Sequence, residues 1–239
     1  MNRTLKVIAA LMLMMTVIFA TAYVSYDKTS AGEDDCVSGV HNGHEYVDLG
    51  LPSGTMWATC NVGATKPEGY GEYFAWGETY PKVFYDWKTY KYSKGHWNQL
   101  TKYCLDSIYG YNGFTDNLSL LQKGDDVAYL RWGEGWSMPT AEQCLELVEN
   151  TSSKYAIRNG VEGRLLTAST GNSLFMPFAG SRLLDMSVDL KSDGDYWSCS
   201  LYSGNSDIGL ELRFGSSTCN VVKGDRYFGR TVRPVCSAK

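Results

Sequence analysis

Residues 44–60 read HEYVDLGLPSGTMWATC. Two short runs, 45–49 and 55–60, carry Tyr, Val, Leu, Thr and Trp on either side of a Leu51-Pro52-Ser53-Gly54 break. β-branched and aromatic residues separated by Gly, Pro and Ser predict short strands joined by a turn. A third run, 72–76, repeats the pattern.

Moving towards the C-terminus, residues 79–129 are rich in Tyr, Lys, Asn, Asp and Gly and keep no sustained period. They read as long loops, and a loop of that length in a compact domain is either functional or stitched down locally. One helix is well signalled over 141–150: Thr140 stands at N-cap and Gln143 at N3, a capping box. Cys144, Leu145, Leu147 and Val148 form its apolar face against Glu142, Glu146 and Glu149. Strands then return at 164–168 and 173–178, around a Ser169-Thr170-Gly171-Asn172 turn, and at 195–199. In 208–214 the apolar Ile208, Leu210, Leu212 and Phe214 alternate with Gly209, Glu211 and Arg213, the pattern of a half-buried strand. Residues 229–236 read as a last strand inside the sheet. The fold class is therefore α+β, with short, mainly antiparallel strands, one or two helices and long irregular loops.

The N-terminus differs in kind. Arg3 and Lys6 precede an apolar run at 7–19, and Ala20-Thr21-Ala22 follows. This order predicts an export signal over 1–22 cleaved after Ala22; the alternative is an anchor retained in the membrane. The polar stretch 23–42 reads as a spacer, and 43–239 as a single domain. The expected location is secreted, cell-surface or periplasmic, with membrane contact only through the export signal. Of the 239 residues, 26 are acidic and 22 basic, giving a net charge of -4 and no footprint for nucleic acid. All seven cysteines lie beyond the signal, where disulfides are permitted. No C-x-x-C occurs, the number is odd, and the connectivity stays open.

Three segments in order carry a resemblance. They are 44–78, which includes Trp57-Ala58-Thr59-Cys60-Asn61-Val62-Gly63 and Gly71-Glu72-Tyr73-Phe74-Ala75-Trp76-Gly77-Glu78; Gly135-Trp136-Ser137-Met138-Pro139-Thr140; and Tyr196-Trp197-Ser198 with Gly229-Arg230-Thr231-Val232-Arg233-Pro234-Val235. Together they resemble the Fibrobacter succinogenes major paralogous domain family, common in exported proteins of gut Bacteroidetes, over about 42–236. Ser137 stands where that family's motif has Arg. The resemblance implies a C-type lectin-like fold, related to the formylglycine-generating enzymes, and brings no activity with it. Those enzymes hold copper between two nearby cysteines, as soft thiolate ligands select Cu(I). Here Cys199 has no close partner in sequence, Cys219 being the next, so a non-catalytic protein is expected.

Other chemistry is sparse. His41 and His44 are two of three histidines, and their i, i+3 spacing near a strand start is not expected to put them on one face. Asp116, Asp125 and Asp126 are the candidate oxygens for Ca²⁺, without EF-hand spacing; the expectation is no cofactor. The alternation of Lys and Tyr over 88–94 reads as a solvated, loop-stitching segment.

The segment 201–230 is the strongest functional lead. Tyr, Ser, Gly, Asn and Asp fill 15 of its 30 positions. Such a composition suits a contact surface, since Tyr offers area at low entropic cost and Ser, Gly and Asn offer adaptable hydrogen bonds; it also suits plain turns. The candidate ligand-contact residues are Tyr202, Asn205, Asp207, Glu211, Arg213, Asn220, Lys223, Asp225 and Tyr227, with the polar ones expected to face outward. In composition and position the tail resembles the variable region of retroelement-diversified display proteins. The expected function is an exported binding module for a protein or glycan at the cell surface. The alternatives are a structural or tip subunit of a surface assembly and, less favoured, a formylglycine-generating-type oxidase.

Overall fold

The computed structural model describes residues 37–237. The expected export signal at 1–22, most of the expected spacer and Cys36 lie outside the described residues. The end of the expected spacer is instead a strand. β1 (Gly39–His41) and β2 (His44–Val47) form a hairpin across Asn42-Gly43, whose φ angles are 46° and 80°. That dipeptide tolerates the left-handed conformation a two-residue hairpin needs. The domain therefore starts before residue 43. The hairpin also sets His41 directly opposite His44, so the two do share a face, contrary to the expectation from their spacing.

β2 pairs with β3 (Thr55–Ala58), β3 with β14 (Val235–Ser237), and β14 with β4 (Trp136–Ser137), every pair antiparallel. The first and last described strands thus belong to one five-stranded sheet. Thr140 and Gln143 form the expected capping box, and α2 (Ala141–Glu149) follows it; α1 (Val127–Trp132) precedes it, capped by Asp126. Cys144 and Leu147 of α2 are buried, whereas Leu145 turns outward.

β5 (Thr151–Arg158), unforeseen in the sequence, pairs with β6 (Val161–Ala168), which pairs with β7 (Ser173–Pro177) across the expected turn. β10 (Gly194–Leu201), β11 (Ile208–Phe214) and β12 (Cys219–Asp225) make a second antiparallel meander. β13 (Gly229–Arg230), β8 (Ser181–Leu183) and β9 (Met186–Val188) make a small third one. The fold is α+β and mainly strand. No helix among the described residues is long and apolar enough to cross a membrane.

Two expected strands are revised. Residues 72–76 contribute only a single bridge, Phe74 to Arg230. Phe74, Ala75 and Trp76 are all buried, so this segment is enclosed on every side rather than alternating. Residues 229–236 divide between β13 and β14, in two different sheets. Thr231–Pro234 cross between them and meet other backbone, Val62 N–H donating to the Val232 carbonyl and Ala58 N–H to that of Pro234.

The expected loop 79–129 ends early, since α1 begins at Val127; residues 79–126 hold no strand and only two single 3₁₀ turns, as the sequence implied. Their order comes from isolated bridges and turns, such as Tyr85 with Leu184 and Ser93 with Leu100, and from side chains. The Arg226 guanidinium, 0% exposed, donates from Nε to the Tyr90 hydroxyl at 2.8 Å, from Nη1 to the carbonyls of Tyr103 and Ser206 at 3.0 and 2.7 Å, and from Nη2 to that of Lys102 at 3.0 Å. It also lies over the Trp76 ring at 4.8 Å. Buried carbonyls without a ladder need such donors, and each loses about 1–3 kcal/mol if left alone. Arg226→Met is expected to lower unfolding stability by at least about 3 kcal/mol. Exposed Lys66→Met should stay within about 0.5 kcal/mol. Urea titration followed by tryptophan fluorescence measures both, and equal effects would refute the anchoring role.

Candidate functional site

The meander β10–β11–β12 and its turns carry eight of the nine residues singled out in the tail; Tyr227 follows β12, before β13. Glu211 is corrected first: it is 0% exposed, not outward-facing. Alternation along β11 implied one wet face, but both faces are covered. Leu212 and Phe214 enter the core shared with α2, while Glu211 lies against Arg230 and, at 3.2 Å, the Arg213 guanidinium. Arg230 is itself buried and stacks over Trp197 at 4.3 Å. Burial pushes the Glu211 carboxyl up, with Arg230 and Arg213 pulling the other way. Arg213 is half-buried and also bonds the buried Asp195 carboxylate. Glu211 thus holds the sheet to Arg230 of β13, Arg213 ties β11 to β10 through Asp195, and charged groups occupy positions that apolar side chains commonly fill.

The other candidates separate into two ends. Asn220 is exposed opposite Arg213, near the 215–218 turn, and its side chain accepts from Val221 N–H at 2.8 Å. At the opposite end, the 202–207 turn joins β10 to β11. There the Lys223 ammonium lies 3.9 Å over the Tyr202 ring, and Asn205 and Lys223 are exposed. Asp207 is half-buried with one carboxylate oxygen lacking a hydrogen-bond partner, and burial raises its pKa. Asp225 lies opposite Ile208 across the strands and near Tyr227, whose ring packs on Trp87 at 5.0 Å. The structure therefore gathers Tyr202, Asn205, Asp207, Lys223, Asp225 and Tyr227 around one end of the meander and leaves Asn220 at the other.

Two contributors escaped the sequence reading. Trp87 comes from the long loop, and no local pattern ties it to Tyr227. Ser206 is buried and its hydroxyl accepts from Leu105 N–H at 2.9 Å, joining the turn to loop 104–109. A shallow cleft of about 400 Å³ elsewhere is lined by residues of 63–71 and Val161, none of them a sequence candidate.

The three aspartates considered for Ca²⁺ have separate occupations. Asp116 accepts from the backbone N–H groups of Tyr103, Cys104 and Leu118. Asp126 caps α1 through Ala128 and Tyr129 N–H and also takes Met138 N–H. Asp125 accepts from Lys102 Nζ at 2.6 Å, the Tyr103 hydroxyl at 2.6 Å and the Tyr92 hydroxyl. Among the described residues no group of three or more His, Cys, Asp or Glu converges as a metal site. His44 instead stacks on Trp132 at 3.8 Å, and His41 Nε2 donates to the Glu134 carbonyl.

The six described cysteines are all free thiols. Cys219 lies opposite Phe214, two strands from Gly194 at the start of β10, while Cys199 is near the other end of β10. Burial pushes the Cys199 thiol up to about 12. No family model, curated protein or solved structure matches the chain.

Asp125 gives a measurable pH signature. Burial pushes its carboxyl up, but hydrogen bonds from Lys102, Tyr103 and Tyr92 outweigh this and hold it below the ordinary 3.8. A carboxylate depressed in the folded state stabilises fully above its unfolded pKa and loses that contribution as pH falls through the folded one. The unfolding free energy of the wild type minus that of Asp125→Asn is expected to be constant above about pH 5 and to shrink towards pH 2. A flat difference across chemical unfolding curves in that window would refute this.

Proposed function

We propose that this chain is an exported, non-catalytic binding module with a C-type lectin-like fold, related to the major paralogous domain family. Its ligand, a protein or a glycan, is contacted at the 202–207 end of the β10–β12 meander. The observation that carries this reading is the contrast between what is buried there and what is not. The buried Arg226, Glu211 and Arg230 fix the backbone on which exposed Asn205 and Lys223 and half-exposed Tyr202, Asp207 and Tyr227 stand. Polar and aromatic groups held on a rigid frame lose little freedom on binding, which favours affinity.

The α+β, mainly antiparallel architecture with a long irregular segment supports the C-type lectin-like assignment. The buried, high-pKa Cys199 thiol supports the non-catalytic one, because the thiolate is the metal ligand and nucleophile.

The test is a screen of the protein on arrays of glycans and surface proteins beside Tyr202→Ala/Lys223→Ala. A ligand should lose roughly tenfold or more in affinity with the variant, as expected for an aromatic anchor at a contact surface. A ligand that binds both equally moves the site elsewhere. Loss of folding in the variant, read by circular dichroism, is not expected, as both side chains stand at the solvent boundary.

A further inference from the structure

We infer that the loop 88–102 forms a docking surface for an anionic polysaccharide; this rests on the binding-module reading and narrows its ligand class. The chain as a whole is acidic, yet 88–102 contains Lys88, Lys91, Lys94 and Lys102 and no Asp or Glu. The segment folds back on itself. Lys94 N–H donates to the Gln99 carbonyl at 2.9 Å, Thr101 N–H to the Tyr92 carbonyl at 2.9 Å, and Ser93 bridges Leu100 antiparallel. Gly95, at φ 103°, starts the tip and brings it beside Lys88: a Cβ on Gly95 would lie 4.0 Å from the Lys88 Cα.

Burial sorts the residues by chemistry. Tyr90, Tyr92 and Leu100 are buried, while Lys88, Lys91, Lys94, His96, Trp97 and Asn98 are exposed. The rings hold the loop and the ammonium groups are left outside. Lys102 is committed to Asp125, and Lys91 reaches the same carboxylate only at 3.5 Å. Lys88 and Lys94 take part in no ion pair among the described residues. The indole of Trp97 is 40% exposed and is braced edge-on by Tyr109 at 5.7 Å. Of the acidic groups nearby, Asp125 and Glu78 are buried under their partners and Asp86 accepts Thr89 N–H, while Asp106 and Asp207 face Tyr109, on the Trp97 side of the loop rather than among the lysines.

A polymer of acidic sugars fits this set. Its C–H faces stack on an exposed ring, and its carboxylates or sulfates meet ammonium point charges without needing the forked geometry of Arg. Nucleic acid fits less well, since it calls for a broad basic footprint and this net-negative chain offers only a few separate lysines. Arg226 donates both to the Lys102 carbonyl and to the Ser206 carbonyl, so the base of the basic loop and the 202–207 turn adjoin.

The test immobilises polygalacturonate, dextran sulfate, neutral dextran, polyglutamate and DNA and measures binding of the full chain, of Lys88→Glu/Lys94→Glu and of Tyr202→Ala/Lys223→Ala. Binding to either anionic polymer, weakening with NaCl and reduced about tenfold in Lys88→Glu/Lys94→Glu, is expected. Preference between the two polymers identifies carboxylate or sulfate as the source of the charge. No binding to either, or binding unchanged in the lysine variant, overturns the inference. Equal, lysine-dependent binding to polyglutamate or DNA overturns the polysaccharide class. A neutral glycan or protein ligand that depends on Tyr202 and Lys223 alone also overturns it and leaves the binding-module reading standing.

Discussion

The buried guanidinium of Arg226 is the interaction on which the irregular half of this protein depends. Residues 79–126 build no sheet and almost no helix, so beyond a few isolated bridges many of their backbone carbonyls have no ladder to enter. Buried carbonyls must still be hydrogen-bonded. One side chain with several fixed N–H donors can satisfy groups from three separate segments, and Arg226 does so for Lys102, Tyr103, Ser206 and the Tyr90 hydroxyl. Desolvating a guanidinium is costly, and surrounding Trp76 and Tyr90 rings return part of that cost through their π-faces.

The same device recurs. Arg233, also fully buried, donates to the Asn61 side chain and to the carbonyls of Ala58 and Thr59, fixing the chain where it leaves β3. Arg230 does for the second face of the meander what Arg226 does for the loops, pairing with Glu211 and stacking over Trp197. Asp125 is the anionic counterpart, collecting two tyrosine hydroxyls and a lysine at the base of the 88–102 loop. Charge is thus spent inside the molecule to order loops. What remains outside, Lys88, Lys94, Trp97, Asn205 and Lys223, is presented on backbone that has little freedom left. A fixed frame and an exposed polar and aromatic rim are two consequences of one arrangement, and the polar interior explains how long loops can be both irregular and ordered.

Much of the regular structure was legible in local pattern. The capping box of Thr140 and Gln143, the β6–β7 hairpin and the strand 208–214 all follow from short-range rules of hydrogen bonding and side-chain alternation. The tyrosine-lined interior of 88–94 was also foreshadowed as loop stitching. The Asn42-Gly43 hairpin was equally legible and was masked by the polar composition around it. By contrast, alternation in β11 indicated which residues share a face but not what would cover that face, and so Glu211 was expected in water. The candidate site was partly legible: Tyr202, Asn205, Asp207, Lys223, Asp225 and Tyr227 do gather, while Asn220 does not.

The sequence by itself determined the α+β class, the helix and its cap, the hairpin turns and the absence of periodic structure over the long loop, because these depend on neighbours a few residues apart. Only the tertiary structure decided that Arg226, Arg230, Arg233 and Glu211 are interior, that Trp87 packs on Tyr227, and that loop 88–102 adjoins the 202–207 turn. Each of those facts joins residues far apart along the chain. A charged side chain reads as surface until its partners are known, since its burial becomes tolerable only when several distant acceptors converge on it.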